Sequence, residues 1–235
     1  MKPVAIFRHY RTEGPGYFAI ALERRGLPWQ LVRIDAGESV PSDPHAYSGI
    51  AFMGGPMSVN DRLAWIDPVL RLIRTAVSAD VPVIGHCLGG QLMAAALGGA
   101  VTFNPVKEIG WGEVTVANTP LARHWFGADV TSFTGFHWHG ETFALPPGAQ
   151  PVLSSPYCAN QAFALGKHFG MQCHVEMTAE LIETWCRSGA KEIAANPGPA
   201  VQTPEEIQRN LDQRLARLHA LADRIYTRWV EGLVL

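Results

Sequence analysis

The chain has 235 residues, 47% of them apolar, and a formal net charge of −2. That is enough to bury one large core, and the near-neutral balance excludes a global attraction to nucleic acid or to an anionic membrane surface. No stretch reaches the roughly 18 uninterrupted apolar residues of a membrane span, and the opening apolar run turns polar at Arg8, too early for a secretory leader. Cys87, Cys158, Cys173 and Cys186 form no Cys-x-x-Cys pair, so reduced thiols and a cytoplasmic location are expected.

In chain order, residues 4–7 predict a strand and residues 17–25 a helix, separated by the Gly14-Pro15-Gly16 break. Residues 29–34 predict the next strand, and residues 50–53 a third that runs into Gly54-Gly55-Pro56. Residues 67–79 have the spacing of a helix with Val69, Leu70, Ile73 and Val77 on its apolar face. The apolar run 81–84 predicts a strand that stops at Gly85, turns through Cys87 and enters a helix over 88–97. Strands joined by helical crossovers imply an α/β fold of three layers, a mostly parallel sheet flanked by helices, with ligands at its carboxyl edge.

From Trp111 the pattern changes to short strands over 112–116, 130–133, 152–154 and 162–165, expected to form a short antiparallel portion that brings residue 174 back to the sheet. Thr178 is placed to cap a helix reaching about residue 187. Asn196-Pro197-Gly198-Pro199 is a break, and Thr203-Pro204-Glu205-Glu206 is a capping box with proline at the first helical position. A last helix follows, with Ile207, Leu211, Leu215, Leu218 and Ile225 on one face. That stripe is expected to pack on the body of the protein, or on a second copy in a homodimer, rather than on a membrane. Residues 1–190 are read as a catalytic domain and 191–235 as a C-terminal helical extension packed on it.

The chemistry concentrates at Gly85-His86-Cys87-Leu88-Gly89. A lone cysteine in an apolar run is ordinarily a small buried hydrophobe. Here two glycines and a preceding strand place it on a sharp strand-to-helix turn, the nucleophile elbow with sulfur in place of oxygen. The helix start behind it offers unsatisfied N–H groups and partial positive charge, which favour thiolate and can hold a developing oxyanion. A base is available at His174-Val175-Glu176: residues two apart on a strand share a side, so one imidazole nitrogen can face Cys87 while Glu176 accepts from the other.

Together these segments resemble the class I, triad-type glutamine amidotransferase family, whose elbow reads Gly-x-Cys-x-Gly-x-Gln, matched by Gly85, Cys87, Gly89 and Gln91. Residues 50–58 are similar to that family's strand followed by Gly-Gly-Pro. The stretch 54–61 and His137-Trp138-His139-Gly140-Glu141-Thr142-Phe143 resemble its stand-alone, GMP-synthase-like subgroup. The three motifs fall in order within residues 1–190. Two positions depart from the pattern: Val175 stands where the family usually has proline, and His86 where it has an apolar residue.

The resemblance implies a flavodoxin-like fold without a cofactor and a glutaminase reaction through a Cys87 thioester. It implies Cys87, His174 and Glu176 as the triad, the backbone N–H groups of Gly55 and Leu88 as oxyanion donors, and Gly54, Gln91, Trp138 and His139 as substrate-binding residues. With no Gly-x-x-x-x-Gly-Lys-Ser/Thr phosphate loop in the chain, ammonia would pass to an unidentified acceptor or to a partner synthetase. Two other readings stand beside it: a γ-glutamyl hydrolase or transferase using the same chemistry on another amide, and a catalytically silent amidotransferase-like binding module. His137, His139 and Glu141 could line up three metal ligands on a strand, but aromatic neighbours favour a packed loop, and no metal is expected there.

Overall fold

Period-two alternation decides the central layer of the computed structural model, which describes residues 1–234. In β1 (Val4–Arg8), Val4 and Ile6 enter one core while Ala5 and Phe7 enter the other. β3 (Gly49–Phe52) divides in the same way, Ala51 to the first core and Ile50 with Phe52 to the second. With β2 (Trp29–Arg33), β4 (Val83–His86) and β9 (His168–Met171), these strands form a parallel block in the order β2-β1-β3-β4-β9. The order reverses direction between β1 and β3, the place where open α/β sheets bind ligands.

Four more strands continue the sheet antiparallel from β9: β8 (Ala162–Leu165), β7 (Gln150–Ser154), β5 (Val101–Val116) and β6 (Ser132–Phe143). This corrects the expected short antiparallel portion. β5 and β6 form a long ribbon, and residues 137–143, expected as a loop, are strand. The pattern was hidden because Asn104 and Pro105 lie in an irregularity of the β5–β6 register between Phe103 and Glu108, and Pro105 offers no ladder N–H.

One sheet face is covered by α2 (Ile66–Ser78) and α3 (Leu88–Ala96), the other by α1 (Gly16–Arg24), α4 (Pro120–Phe126), α5 (Ala179–Ser188) and α8 (Leu211–Glu231). The buried face of α2 is Ile66, Val69, Leu72, Ile73 and Ala76; of the four residues expected on its apolar face, Val69 and Ile73 are buried and Leu70 and Val77 are partly buried at its edges. Thr178 caps α5 by accepting from the Leu181 N–H, and the capping box at Thr203 and Glu206 is formed on both sides.

The single last helix expected from the stripe is two, after the short α6 (Ala190–Ala195). α7 (Pro204–Gln208) ends at Arg209, and Asn210 turns the chain through the left-handed region at φ +54° before α8 starts. Asparagine is among the residues that tolerate this conformation. The stripe then packs on the body of the same chain: Leu215, Leu218, Leu221, Ala222, Ile225, Tyr226 and Trp229 are all buried. Among the described residues, no helix is long and apolar enough to cross a membrane.

Candidate active site

Loops leaving the carboxyl ends of β1, β3, β4 and β9 converge on one cavity of about 660 Å³, whose lining includes Glu13, Gly55, Cys87, Gln91, Trp138 and His174. At its floor Cys87 holds φ +52° and ψ −109°, a strained conformation for a residue with a side chain, costing on the order of 1–3 kcal/mol. The turn is locked by its own hydrogen bonds: the Cys87 N–H donates to Met171 O (2.8 Å), and the Gln91 N–H donates to Cys87 O (3.0 Å). A Cβ at Gly85 would run into the Gly89 backbone, and one at Gly89 into the Phe52 carbonyl, so the tight elbow requires glycine at both places.

The strand order explains how His174 arrives beside the cysteine. β9 pairs directly with β4 in the register His86 to Met171, so the chain leaves β9 level with the elbow. His174 is then pinned from the far side by its N–H, which donates to Phe136 O on β6 (2.8 Å). Its Nδ1 lies 2.6 Å from Glu176 Oε1, and both side chains are buried. A carboxylate only accepts, so Nδ1 carries the hydrogen. Nε2 is left as the basic atom with no oxygen or nitrogen partner, and Cys87 is its neighbour.

The Gly-Gly-Pro loop closes the third side. His9 Nδ1–H donates to Met53 O (3.0 Å) and holds the loop, while Gly54 sits so close that a Cβ there would lie 3.3 Å from His174 Cε1 and 2.8 Å from Glu13 Oε2. The N–H groups of Gly55 and Leu88 donate to no acceptor among the described residues, and Gly55 abuts the Leu88 side chain.

The motif spacing seen in the sequence is matched by a family model: Glutamine amidotransferase class-I covers residues 18–185. The chain belongs to the class I glutamine amidotransferase family. It is 34% identical over 200 residues to the glutamine amidotransferase-like protein YfeJ of Salmonella typhimurium, covering 81% of this chain and 82% of that one. It is 33% identical over 146 residues to the GMP synthase (glutamine-hydrolyzing) of Aromatoleum aromaticum, covering 57% of this chain and 26% of that enzyme. The chain therefore matches about a quarter of the synthase's length. The crystal structure of a glutamine amido transferase from Methylobacillus flagellatus superposes with a TM-score of 0.96 at 44% identity, covering 100% of this chain and 96% of that one.

Within the cavity, charge is organised around His174. Burial works against the imidazolium, but the Glu176 carboxylate and Cys87 outweigh it and hold the His174 pKa well above its usual value. Burial likewise opposes the Glu176 charge, and the imidazoles of His174 and His86 pull its pKa down. His86, the unexpected residue of the elbow, turns away from the cavity: its Nε2 is 3.1 Å from the Tyr226 hydroxyl on α8, and burial lowers its pKa.

The residues expected to bind substrate stand in different relations to the cavity. Gln91 lines the cavity, yet its Nε2 donates to Gln172 Oε1 (3.1 Å), and Gln172 Nε2 in turn points at the Cys87 sulfur at 3.6 Å. Trp138 lines the cavity with its carbonyl 3.9 Å from Cys87 Sγ, and its indole N–H donates to Glu192 (2.9 Å). His139 borders the cavity, but both its ring nitrogens are turned to other partners, Glu141 O and the Glu108–Gln161 pair.

Gln172 and Glu13 were not singled out in the sequence. The only available signal was topological: both lie just past the carboxyl end of a parallel strand. Burial raises the Glu13 pKa to about 8, with His174 opposing and the Glu176 carboxylate adding to the rise. The folded protein thus holds a proton that the unfolded chain releases above about pH 4.5, and stability is lost as pH climbs from there to about 8. Glu13→Gln lacks this loss. Its melting temperature relative to the parent is expected to rise across that window by on the order of 10 °C and to stay level below it. Parallel melts at a series of pH values measure the difference, and a constant offset would show an ordinary carboxyl.

Proposed function

We propose that the protein is a glutaminase of the amidotransferase type, hydrolysing the γ-amide of glutamine through a Cys87 thioester and supplying ammonia to an acceptor. The observation that carries this reading is the juxtaposition in one cavity wall of a cysteine on a strained elbow and a buried histidine whose other nitrogen is held by a carboxylate.

In this scheme the Cys87 thiolate attacks the γ-carboxamide carbon, and the carbonyl electrons move onto oxygen. The N–H groups of Leu88 and Gly55 receive that oxyanion; loss of one such donor typically costs about 3 kcal/mol of transition-state stabilisation. His174, protonated at Nε2, passes its proton to the departing nitrogen, the C–N bond breaks, and ammonia leaves a γ-glutamyl thioester. Neutral His174 then takes a proton from water as the water attacks the thioester. Glutamate departs and the thiolate is regenerated. Glu176 fixes the tautomer and stabilises the imidazolium throughout. Gln172 donates toward the Cys87 sulfur and holds it in place, and Gln91 orients Gln172. Likeness to part of a glutamine-hydrolyzing GMP synthase supports transfer of the ammonia to a partner synthetase.

A second reading is favoured by the size of the cavity. A volume of about 660 Å³ falls in the range that accepts drug-sized ligands and exceeds what glutamine fills, which suits a larger γ-glutamyl amide. One experiment separates the two. A diazo-ketone analogue of glutamine is expected to label Cys87, found by mass mapping, and glutamine is expected to protect it. Absence of labelling together with hydrolysis of other γ-glutamyl amides would replace the first reading with the second.

A further inference from the structure

Behind the cavity wall lies a buried polar cluster that the proposed reaction does not use. Glu108 on β5 stands directly opposite His139 on β6, and His137 lies two residues earlier on the same face of β6. All three are buried, and their donor atoms lie within 4.8 Å of one another. The sequence pointed to Glu141 as the third member of this group. Instead Glu141 accepts from the Ser58 hydroxyl (2.9 Å), and the carboxylate comes from the neighbouring strand.

The hydrogen bonds show which lone pairs are free. His139 Nδ1 is 2.9 Å from Glu141 O, which can only accept, so Nδ1 carries the hydrogen. Its Nε2 faces Glu108 Oε2 at 3.1 Å and the Gln161 amide nitrogen at 3.3 Å. The Gln161 amide donates to that carboxylate oxygen (2.8 Å), and its own carbonyl oxygen is unpartnered. His137 is 2% exposed, and neither of its ring nitrogens has a partner. Buried polar atoms without partners are uncommon and ask for a reason.

We infer that Glu108, His137 and His139 bind one divalent transition-metal ion of the zinc class. Two imidazoles and a carboxylate are a donor set that such ions accept, with a water or Gln161 Oε1 completing the coordination. The outer contacts also fit: a ligating imidazole is usually oriented by a carbonyl at its other nitrogen, as His139 is, and a ligating carboxylate by a hydroxyl, as Ser155 Oγ does for Glu108 Oε1 at 2.8 Å. Metal–ligand bonds of about 2.0–2.2 Å draw the donors to within about 3.5 Å of one another, so the three side chains close in on loading. The ion braces β6, which supplies both Trp138 of the cavity wall and the Phe136 carbonyl that pins His174.

The test uses metal-stripped full-length protein with Cys87→Ala, so that the cavity cysteine cannot supply a ligand, titrated first with Co(II) and then with Zn(II). The expected result is one cobalt per chain, with the visible absorption of a low-coordinate nitrogen and oxygen site, no near-ultraviolet sulfur-to-cobalt band, and displacement by zinc. Zinc is expected to raise the melting temperature, since it binds the folded state. Glu108→Gln, which keeps shape and hydrogen-bonding length, and His137→Gln are each expected to weaken cobalt binding more than tenfold. No uptake at metal well in excess of protein, a sulfur-to-cobalt band, or uptake unchanged in Glu108→Gln would overturn the inference. The titration of the otherwise unaltered site decides the matter even if His137→Gln fails to fold.

Discussion

Cys87→Ala is expected to lower glutamine hydrolysis by about 10⁴-fold or more while the melting temperature changes by no more than a few degrees. The exchange removes one sulfur and keeps the Cβ, so the elbow conformation at φ +52° is as strained in the variant as in the parent and the backbone bonds to Met171 and Gln91 persist. What is lost is the nucleophile of the proposed reaction, and no positioned donor substitutes for a nucleophile. Glutamate release measured beside a thermal melt checks both halves. Glu176→Ala should lose less, because the imidazole keeps its Nε2 and its anchor to Phe136 O, and only the hold on Nδ1 is gone. Equal losses in the two variants would contradict the assignment of nucleophile and orienter.

Trp229→Ala is expected to destabilise the fold by about 3–5 kcal/mol, the range for emptying a buried aromatic site. Set against the roughly 5–15 kcal/mol that holds a typical domain together, this brings the protein close to unfolding under mild denaturant. Trp229 is fully buried on α8, meets the Phe18 ring edge-on at 5.5 Å and closes over Gly49, where a Cβ would lie 2.8 Å from its ring. Trp229→Phe should cost far less. The indole N–H has no partner, so deleting it removes a buried unpaired donor while most of the contact is kept. Urea unfolding of the two variants measures the difference; a loss near 1 kcal/mol for the alanine would mean that α8 contributes little to the core.

The parallel half of the sheet was legible because its signals are local. In β1, β3 and β4 the apolar runs end at polar residues or glycines, and the strands lie within a residue or two of where the pattern put them. Cys87 was legible for the same reason, since strand, glycine and helix adjoin in the chain. The β5–β6 ribbon was not, because its stability comes from pairing across the two strands, while Asn104, Pro105 and the run His137 to Glu141 break any one-strand alternation. Long-range convergence also hid Glu13 and Gln172, which acquire meaning only once four loops meet. Glu108 shows this most sharply: its spacing to His139 in sequence says nothing, and its place directly opposite in the ladder says everything. His86 was visible as an anomaly, but its partner Tyr226 lies 140 residues away.

The family match ends at residue 185, yet α8 beyond it makes two ties to the loops that line the cavity. On α8, Tyr226 places its hydroxyl at His86, next to Cys87, and His219 donates to the Met177 carbonyl (2.8 Å), next to Glu176, while stacking on Tyr17 at 3.7 Å. A fragment cut at the boundary of family likeness would keep Cys87, His174 and Glu176 and lose both of these α8 fasteners. The smallest portable unit for grafting this chemistry onto another scaffold is thus the chain through α8.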